Sequence, residues 1–270
     1  MCQDSWYGRL ETGVRSRKVG SSYADISISV VIPAYNEERM IDETVTALLE
    51  HLVSTGARFE VIVVDDGSED ETAQRVESII RDGCSVTLLK NDANLGKGYS
   101  VRRGLLSARG RYLFFMDADH SYPVHELDKM LLELRNGYDL AIGSRALPAS
   151  SLEVRPPLLR YLAGQVYAAL IGMVVFSGIS DTQCGFKGLR REVVRDLLPR
   201  LTLNDFAFDV ELLFLARKYG YRIQPVPVTL RFNADSSKIR LVRDSLRMFC
   251  DLFRIRWNNA RGRYESESRG

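Results

Sequence analysis

The chain has 270 residues, of which 45% are hydrophobic and 27% charged, so it can bury a core and is neither disordered nor a coiled coil. Lysine and arginine (37) nearly balance aspartate and glutamate (35), and the formal charge of +2 gives no reason to expect a nucleic-acid binder. The four cysteines include no C-x-x-C pair, which argues against a zinc ribbon or a redox dithiol.

Residues 1–25 are polar and lack the apolar core of a signal peptide. The sequence predicts that they form a mobile leader on a cytosolic protein.

From residue 26 onward, apolar strands alternate with amphipathic helices. Strands are predicted at 26–32, 59–64, 86–90, 112–116, 139–143 and 223–230. Helices are predicted around 41–52, after Ser68 and Glu71 with the spacing of a capping box, around 101–106 and over 209–219. This alternation predicts one α/β domain, residues 26–235, with a mostly parallel sheet whose ligands bind at the carboxyl ends of its strands.

Residues 161–180 contain no charge and are long enough to cross a membrane. They also contain several glycines and polar residues, which favour a helix that is buried or lies at the membrane surface. Both interpretations remain open at this point.

The segment 236–264 has the pattern of a basic amphipathic helix, followed by a short tail, 265–270. Its apolar residues recur every three or four positions: Ile239, Val242, Leu246, Phe249, Phe253 and Trp257. Residues 238–263 carry eight basic and two acidic side chains, a local charge of +6, which leaves −4 for the rest of the chain. The pattern predicts a helix on anionic lipid, and the alternative is a helix packed on the domain with a solvated basic rim.

Aspartates follow two of the predicted strands, as Asp65-Asp66 and as Asp117-Ala118-Asp119. In an extended segment residues i and i+2 face the same side, so Asp117 and Asp119 can both bind one hard cation. The residue types indicate Mg²⁺ or Mn²⁺ and not zinc. The alternative is that these aspartates only stabilise turns, but their repeated position after buried strands favours a site.

Two common nucleotide-binding patterns are missing. A dinucleotide fold needs G-x-G-x-x-G after the first strand, and a P-loop needs Ser or Thr after its lysine. The segment Asn94-Leu95-Gly96-Lys97-Gly98 has glycine in that position, although its glycines still allow the backbone to approach a nucleotide.

These motifs together resemble the family 2 glycosyltransferases, which have the GT-A fold. The resemblance rests on Val31–Glu38, Val63–Ser68, Asn94–Gly98 and Asp117–Asp119. Within that family, Gly143–Arg145, Asp181–Lys187 and Phe206–Leu212 are similar to the polyprenyl-phosphate sugar synthases, the dolichyl-phosphate glucosyltransferases among them. The similarity extends from about Ile28 to Trp257.

The resemblance implies a role for each matching position. The nucleotide-binding residues would be Pro33, Tyr35, Glu37, Asp65, Asp66, Lys97 and the segment Asp117, Ala118 and Asp119, with Asp117 and Asp119 holding the metal. Arg145 would contact the phosphate of the acceptor. Further acceptor-phosphate candidates are Arg155, Arg160, Arg231 and Lys238, for the first three of which a solvated surface position is an equal alternative.

The expected reaction is inverting, metal-dependent transfer of glucose from UDP-glucose to a polyprenyl or dolichyl phosphate, by an enzyme peripheral at the cytosolic membrane face. Ser121 stands where some mannosyl relatives have Gln, which weakens the case for mannose and for a third metal ligand. Asp209 is a candidate catalytic acid–base residue, and the equal alternative is a role at the start of a helix or in a salt bridge. The rival activities are transfer from GDP-mannose and transfer to a glycan hydroxyl, and a rival of another class is a non-catalytic lipid-surface scaffold.

Overall fold

The computed structural model describes residues 26–152, 158–231 and 241–265. The strands are β1 (Ile28–Ala34), β2 (Phe59–Asp65), β3 (Val86–Lys90), β4 (Tyr112–Phe115), β5 (Leu140–Ser144), β6 (Ser151–Leu152), β7 (Lys187–Arg190), β8 (Ile223–Pro227) and β9 (Thr229–Leu230). The helices are α1 (Ile41–Ser54), α2 (Thr72–Arg81), α3 (Lys97–Ser107), α4 (Glu126–Arg135), α5 (Leu158–Val174), α6 (Arg191–Leu197), α7 (Phe208–Lys218) and α8 (Leu241–Ala260).

Seven strands form the central sheet in the order β3-β2-β1-β4-β7-β5-β8, and β6 pairs with β9 beside it. Every pairing in the central sheet is parallel except those of β7, which runs antiparallel between β4 and β5. The chain moves outward from β1 to β3 and then returns to β4 on the other side of β1. The carboxyl ends of β1 and β4 therefore lie at a topological switch point, where open α/β sheets bind their ligands.

Both faces of the sheet are covered, which explains why its strands read as nearly continuous apolar runs. Along β4, Phe115 packs into the cluster formed with α3, α6 and α7, whereas Phe114 packs into the opposite cluster formed with α1, α2 and α4. Both rings are fully buried. The two clusters fix the sheet as a rigid platform, so the loops at its carboxyl edge have defined positions.

The observed order of elements confirms the predicted α/β fold with a mostly parallel sheet. The strands β6 and β7 and the helix α6 were not predicted from the sequence, and the strand predicted at 223–230 is divided into β8 and β9. Residues 1–25, predicted as a leader, lie outside the described residues, as do residues 236–240 of the predicted basic helix and 266–270 of the predicted tail.

The capping box predicted for α2 is wrong. The helix begins at Thr72 after Glu71, and no side chain caps it. The Ser68 hydroxyl instead accepts a hydrogen bond from the backbone N–H of Asn36 at 2.9 Å. Ser68 therefore ties the loop before α2 to the loop after β1.

The two predicted lipid-facing segments form neighbouring helices, α5 and α8, which pack against each other. Helix α5 ends at Val174, before the end of the uncharged stretch. None of the helices in the described ranges has both the length and the apolar character needed to span a bilayer.

Helix α8 docks on the domain through one face. Leu252 and Ile255 on that face are fully buried against the core. Leu246, Phe249, Phe253 and Trp257, four of the residues predicted to share an apolar face, point away from the domain and are exposed. Ile239 lies outside the described residues, as does the side chain of Val242.

A buried carboxylate fixes the end of α8. Glu211, on α7, accepts hydrogen bonds from the Thr202 hydroxyl at 2.6 Å and the Tyr264 hydroxyl at 2.7 Å through one oxygen. Its other oxygen accepts from the backbone N–H groups of Thr202 and Leu203, both at 2.9 Å. Because Glu211 is fully buried, these donors provide the solvation that water would otherwise give.

Candidate active site

Asp117 and Asp119 lie at the carboxyl end of β4, as predicted. The Thr44 hydroxyl of α1 donates to the carbonyl oxygen of Ala118 at 2.8 Å, and this buried bond holds the turn between the two aspartates. The Asp119 carboxylate accepts the backbone N–H of Ser121 at 3.1 Å. The two side chains are therefore fixed by α1 on one side and by their own loop on the other.

Asp117 lies between the ammonium of Lys97 and the backbone of Gly185. Lys97, the first residue of α3, places its ammonium 2.5 Å from Asp117 Oδ1. A methyl group added at Gly185 would overlap the Asp117 carboxylate, so glycine is the residue that leaves this carboxylate in its observed position. Gly185 belongs to the motif Asp181–Lys187, but the sequence alone indicates no role for it.

Burial and neighbouring charges both shift the pKa values of Asp117 and Lys97. Burial raises the pKa of Asp117, and the negative charges of Asp119 and Asp209 add to this effect, while Lys97 opposes it. Burial alone would lower the pKa of Lys97, but the surrounding carboxylates outweigh it and the pKa lies above its usual value. Lys97 is therefore a charged ammonium among carboxylates.

Asp66 fixes the loop that leads to Lys97. Its carboxylate accepts the backbone N–H groups of Leu95 at 3.0 Å and Gly96 at 2.9 Å, and the side-chain amide of Asn91 at 2.7 Å. Asp65 accepts the backbone N–H of Ser68 at 3.3 Å. The structure brings both aspartates to the predicted edge, and the contacts of Asp66 show that it also organises the loop.

The remaining predicted nucleotide residues lie at the end of β1. Pro33 belongs to that strand, and Tyr35 and Glu37 follow it, all of them half-buried. The backbone N–H of Glu37 donates to the Thr72 hydroxyl at 2.8 Å, which joins this loop to the start of α2. Pro33, Tyr35, Glu37 and the Asp65-Asp66 pair therefore form adjoining loops above β1 and β2.

A second ion pair, between Lys187 and Asp209, joins the start of β7 to the first turn of α7. Lys187, at the start of β7, is fully buried, and its ammonium donates to Asp209 Oδ1 at 2.5 Å and to the carbonyl oxygen of Cys184 at 2.6 Å. The ring of Phe115 lies 5.5 Å from the same ammonium. Asp209 is thus in the salt bridge that the sequence analysis kept as an alternative, whereas its proposed role as acid or base stays a prediction. The sequence analysis assigned no role to Lys187.

Arg145 also has a carboxylate partner. Its guanidinium binds Asp181 through two hydrogen bonds of 2.7 and 2.8 Å, and its backbone N–H donates to the same side chain at 2.9 Å. Burial alone would raise the pKa of Asp181, but Arg145 outweighs it and lowers the pKa below its usual value. The role of Arg145 as a phosphate ligand stays a prediction.

The other candidate cations are described only in part. The backbone N–H of Arg231 donates to the carbonyl oxygen of Ser121 at 2.8 Å, which brings this exposed residue to the loop that carries Asp119. Arg155 and Lys238 lie outside the described residues, as does the side chain of Arg160.

The donor set suits a hard divalent cation. Asp117 and Asp119 offer carboxylate oxygens, which Mg²⁺ and Mn²⁺ prefer, and no cluster of three or more His, Cys, Asp or Glu side chains arranged for a metal occurs within the described ranges. Two carboxylates are the usual number for an ion that completes its shell with water and substrate phosphates. The residues therefore fit Mg²⁺ or Mn²⁺ bound together with a nucleotide.

Comparison with known sequences decides the family. Residues 29–198 match the family model described as "Glycosyl transferase family 2". The chain is a family 2 glycosyltransferase. It is therefore an enzyme, and the scaffold alternative falls away. The matched residues include the loops that carry Asp65, Asp66, Lys97, Asp117 and Asp119.

This glycosyltransferase is similar in sequence to other proteins that are named as glycosyltransferases. It is 34% identical to a dolichyl-phosphate beta-glucosyltransferase from Dictyostelium discoideum over 90% of this chain and 78% of that protein. It is 33% identical to the glycosyltransferase AglD from Haloferax volcanii, over 89% of this chain but only 39% of AglD.

A solved structure shows the same fold. Glucosyl-3-phosphoglycerate synthase from Mycobacterium tuberculosis, in complex with Mg²⁺ and uridine diphosphate, matches 89% of this chain and 85% of its own with a TM-score of 0.64 and 21% identity. At this identity the match confirms the GT-A fold, and nothing further about this glycosyltransferase follows from it.

Proposed function

We propose that this enzyme transfers glucose from UDP-glucose to a dolichyl or other polyprenyl phosphate, with inversion at the sugar carbon. The observation that carries the proposal is the group of carboxylates and Lys97 at the switch point of the sheet, where a metal-bound nucleotide fits. The choice of glucose and dolichyl phosphate is supported by the name of the Dictyostelium relative, which aligns with 90% of this chain.

On the donor side, Asp117 and Asp119 would hold Mg²⁺ or Mn²⁺. When bound, the ion neutralises the charge that develops on the diphosphate leaving group. Lys97 provides a second positive charge at the same carboxylate, and the loops of Asp65, Asp66 and Tyr35 would bind the nucleoside.

On the acceptor side, a phosphate oxygen attacks the sugar carbon, and the bond from that carbon to the diphosphate oxygen breaks, so that uridine diphosphate leaves. A phosphate monoester is already ionised near neutral pH, and the reaction needs no side chain to remove a proton. The Asp209 carboxylate is buried, and its Oδ1 already accepts the Lys187 ammonium at 2.5 Å, so that oxygen is not open to an acceptor hydroxyl. This pairing favours a phosphate acceptor over a glycan hydroxyl.

We also propose that α5 and α8 rest on the cytosolic face of a membrane, where they meet the lipid acceptor. Among the described residues, seven of the eleven exposed large apolar side chains lie on these two helices. They are Leu162, Val166 and Met173 on α5, and Leu246, Phe249, Phe253 and Trp257 on α8. Monomeric proteins rarely expose so many apolar groups together unless the surface binds something.

The charge around this apolar surface favours anionic lipid as its partner. Arg247, Arg254 and Arg256 are exposed on α8 beside the aromatic residues. Arginines next to an anionic bilayer contribute about 1 kcal/mol each, and aromatic rings sit well at its interface.

The activity is tested by incubating the purified protein with polyprenyl phosphate and a panel of UDP- and GDP-sugars, with and without Mn²⁺. The proposal predicts a glucosyl lipid phosphate from UDP-glucose only, and only with metal. Transfer from GDP-mannose, or transfer to a glycan hydroxyl but not to the lipid, would refute it.

Membrane binding is tested by flotation with phosphatidylcholine vesicles, with and without phosphatidylserine. Replacing Phe253 and Trp257 with Ser should weaken binding to anionic vesicles by about 2 kcal/mol, or roughly 30-fold. A matched control replaces Val53 and Leu132, which are exposed on α1 and α4 across the sheet. Equal binding by both double variants would refute this surface as the contact.

A further inference from the structure

Lys187 is an unusual residue for the centre of a sheet. It lies on β7 between β4 and β5 with no exposed surface, and its ammonium pairs with Asp209, which is 3% exposed. Taking two charges out of water costs several kcal/mol each, and apolar residues of similar size often stabilise a core equally well. The pair therefore needs an explanation other than stability.

The pair is connected to Asp117 by two routes. Through the packing of helix ends, the start of α7, which carries Asp209, lies against the start of α3, where a Cβ on Gly98 would stand 2.6 Å from Phe208 Cβ. Lys97, next to Gly98, binds Asp117 at 2.5 Å. Through the backbone, Lys187 binds the carbonyl oxygen of Cys184 at 2.6 Å, and the next residue, Gly185, is the one that abuts the Asp117 carboxylate. Both routes end on the same side chain.

We propose that Lys187 and Asp209 form a positioning pair, which holds Lys97 and the backbone of Gly185 in place around Asp117. In this role Asp209 is not the base of the reaction. Its carboxylate would hold the Lys97 ammonium where the diphosphate of the donor would meet it. The inference rests on the proposed use of a nucleotide diphosphate at this site.

The sharpest test is a double-mutant cycle between Asp209 and Lys97, read by calorimetric binding of UDP with Mn²⁺. Asp209→Asn keeps the shape of the side chain and an oxygen for Lys187, so the fold should survive. The positioning role predicts that Asp209→Asn weakens UDP binding roughly tenfold when Lys97 is present. In the Lys97→Met background the same change should alter binding less than about twofold. Equal losses in both backgrounds would overturn the inference.

Kinetics separate positioning from base catalysis. A base at Asp209 predicts that Asp209→Asn lowers kcat while UDP affinity is unchanged. The positioning pair predicts a rise in the donor KM that parallels the loss of UDP affinity. A collapse of kcat with wild-type UDP affinity therefore refutes the inference.

The role of Lys187 is tested with Lys187→Met and the neutral pair Lys187→Met/Asp209→Leu. The single variant leaves a buried carboxylate unpaired and should lower the unfolding midpoint, whereas the neutral pair should restore it. If the ion pair only supports the fold, the neutral pair also regains UDP affinity, which refutes the inference. If it positions Lys97, affinity stays low in the stable protein.

If the proposed function is wrong, the binding experiment gives a different result from the one expected if only the positioning pair is wrong. In that case the wild-type protein does not bind UDP with Mn²⁺. Wild-type binding combined with additive losses in the cycle refutes the positioning pair alone.

Discussion

Gly185→Ala is the most specific perturbation that the site offers, because it moves one carboxylate without removing any functional group. The added Cβ would overlap Asp117 Oδ2 and lie 2.7 Å from Oδ1, whereas ordinary contact begins at 3.4 Å. The backbone of Gly185 is held by the Tyr122 hydroxyl, which binds its N–H at 3.3 Å. We therefore expect the Asp117 side chain to move.

The size of the effect follows from that movement. The carboxylate must shift by roughly 1 Å or more, and a misplacement of this size costs on the order of 100-fold in rate, or about 2.7 kcal/mol of transition-state stabilisation. The cost to the fold should be only about 1 kcal/mol, because the atom that yields belongs to a side chain that is 29% exposed. Activity and stability should thus separate.

The assay measures kcat/KM for the nucleotide sugar with saturating Mn²⁺, together with the unfolding midpoint. Gly188→Ala is the matched control, because its Cβ would press on the buried ring of Phe114, 2.7 Å from Cδ1, and not on the site. The control should lose more stability and retain wild-type kcat/KM per folded molecule. Wild-type kcat/KM in Gly185→Ala, or equal losses in both variants, would refute the reasoning.

Further changes have separate expected outcomes. Asp119→Ala should reduce metal-dependent transfer more than 100-fold, while the circular dichroism melting curve stays within a few degrees of wild type. Tyr264→Phe removes a donor from the buried Glu211 carboxylate and should lower the free energy of unfolding in urea by about 1–3 kcal/mol. Burial raises the pKa of the Cys184 thiol, so a maleimide should label exposed Cys250 first and Cys184 only on unfolding, as followed by mass spectrometry.

The position of the carboxylates was predictable because it depends on regular geometry. Parallel strands end at one edge of a sheet, so Asp65-Asp66 and Asp117 had to lie near each other once the strands were identified. The i, i+2 spacing of Asp117 and Asp119 predicted that both face one side, and this stays a prediction, because the strand ends at Phe115 and Ala118 and Asp119 lie in a turn. These arguments need only local sequence and the rule that strands alternate with helices.

The strand β7 was not predictable by the same arguments. Its sequence, Lys187-Gly188-Leu189-Arg190, lacks both the apolar run and the alternation that mark a strand. It enters the sheet antiparallel to β4, and the pairing of Phe115 with Lys187 joins residues far apart in the chain. Only the neighbouring Asp209 explains a lysine in that position, and that contact exists only in three dimensions.

The pairing of charged residues could not be predicted from the sequence either. Arg145 and Asp66 have residue types that suit ligand binding, but Arg145 forms a two-point ion pair with Asp181, and Asp66 holds the backbone of Leu95 and Gly96. A carboxylate that binds a ligand and one that organises a loop look the same in a sequence. The contacts show the organising role, and the ligand-binding roles of Asp66 and Arg145 stay predictions.

The pairing of cations and carboxylates determines how single substitutions at this site must be read. Lys187 and Arg145 each pair with a buried aspartate, so removing either cation leaves a buried carboxylate uncompensated. A loss of activity in Lys187→Met or in an Arg145 variant therefore mixes the lost function with the cost of the stranded carboxylate. Only a variant that neutralises both partners separates the two, because it restores the electrostatic balance while the proposed contact stays absent.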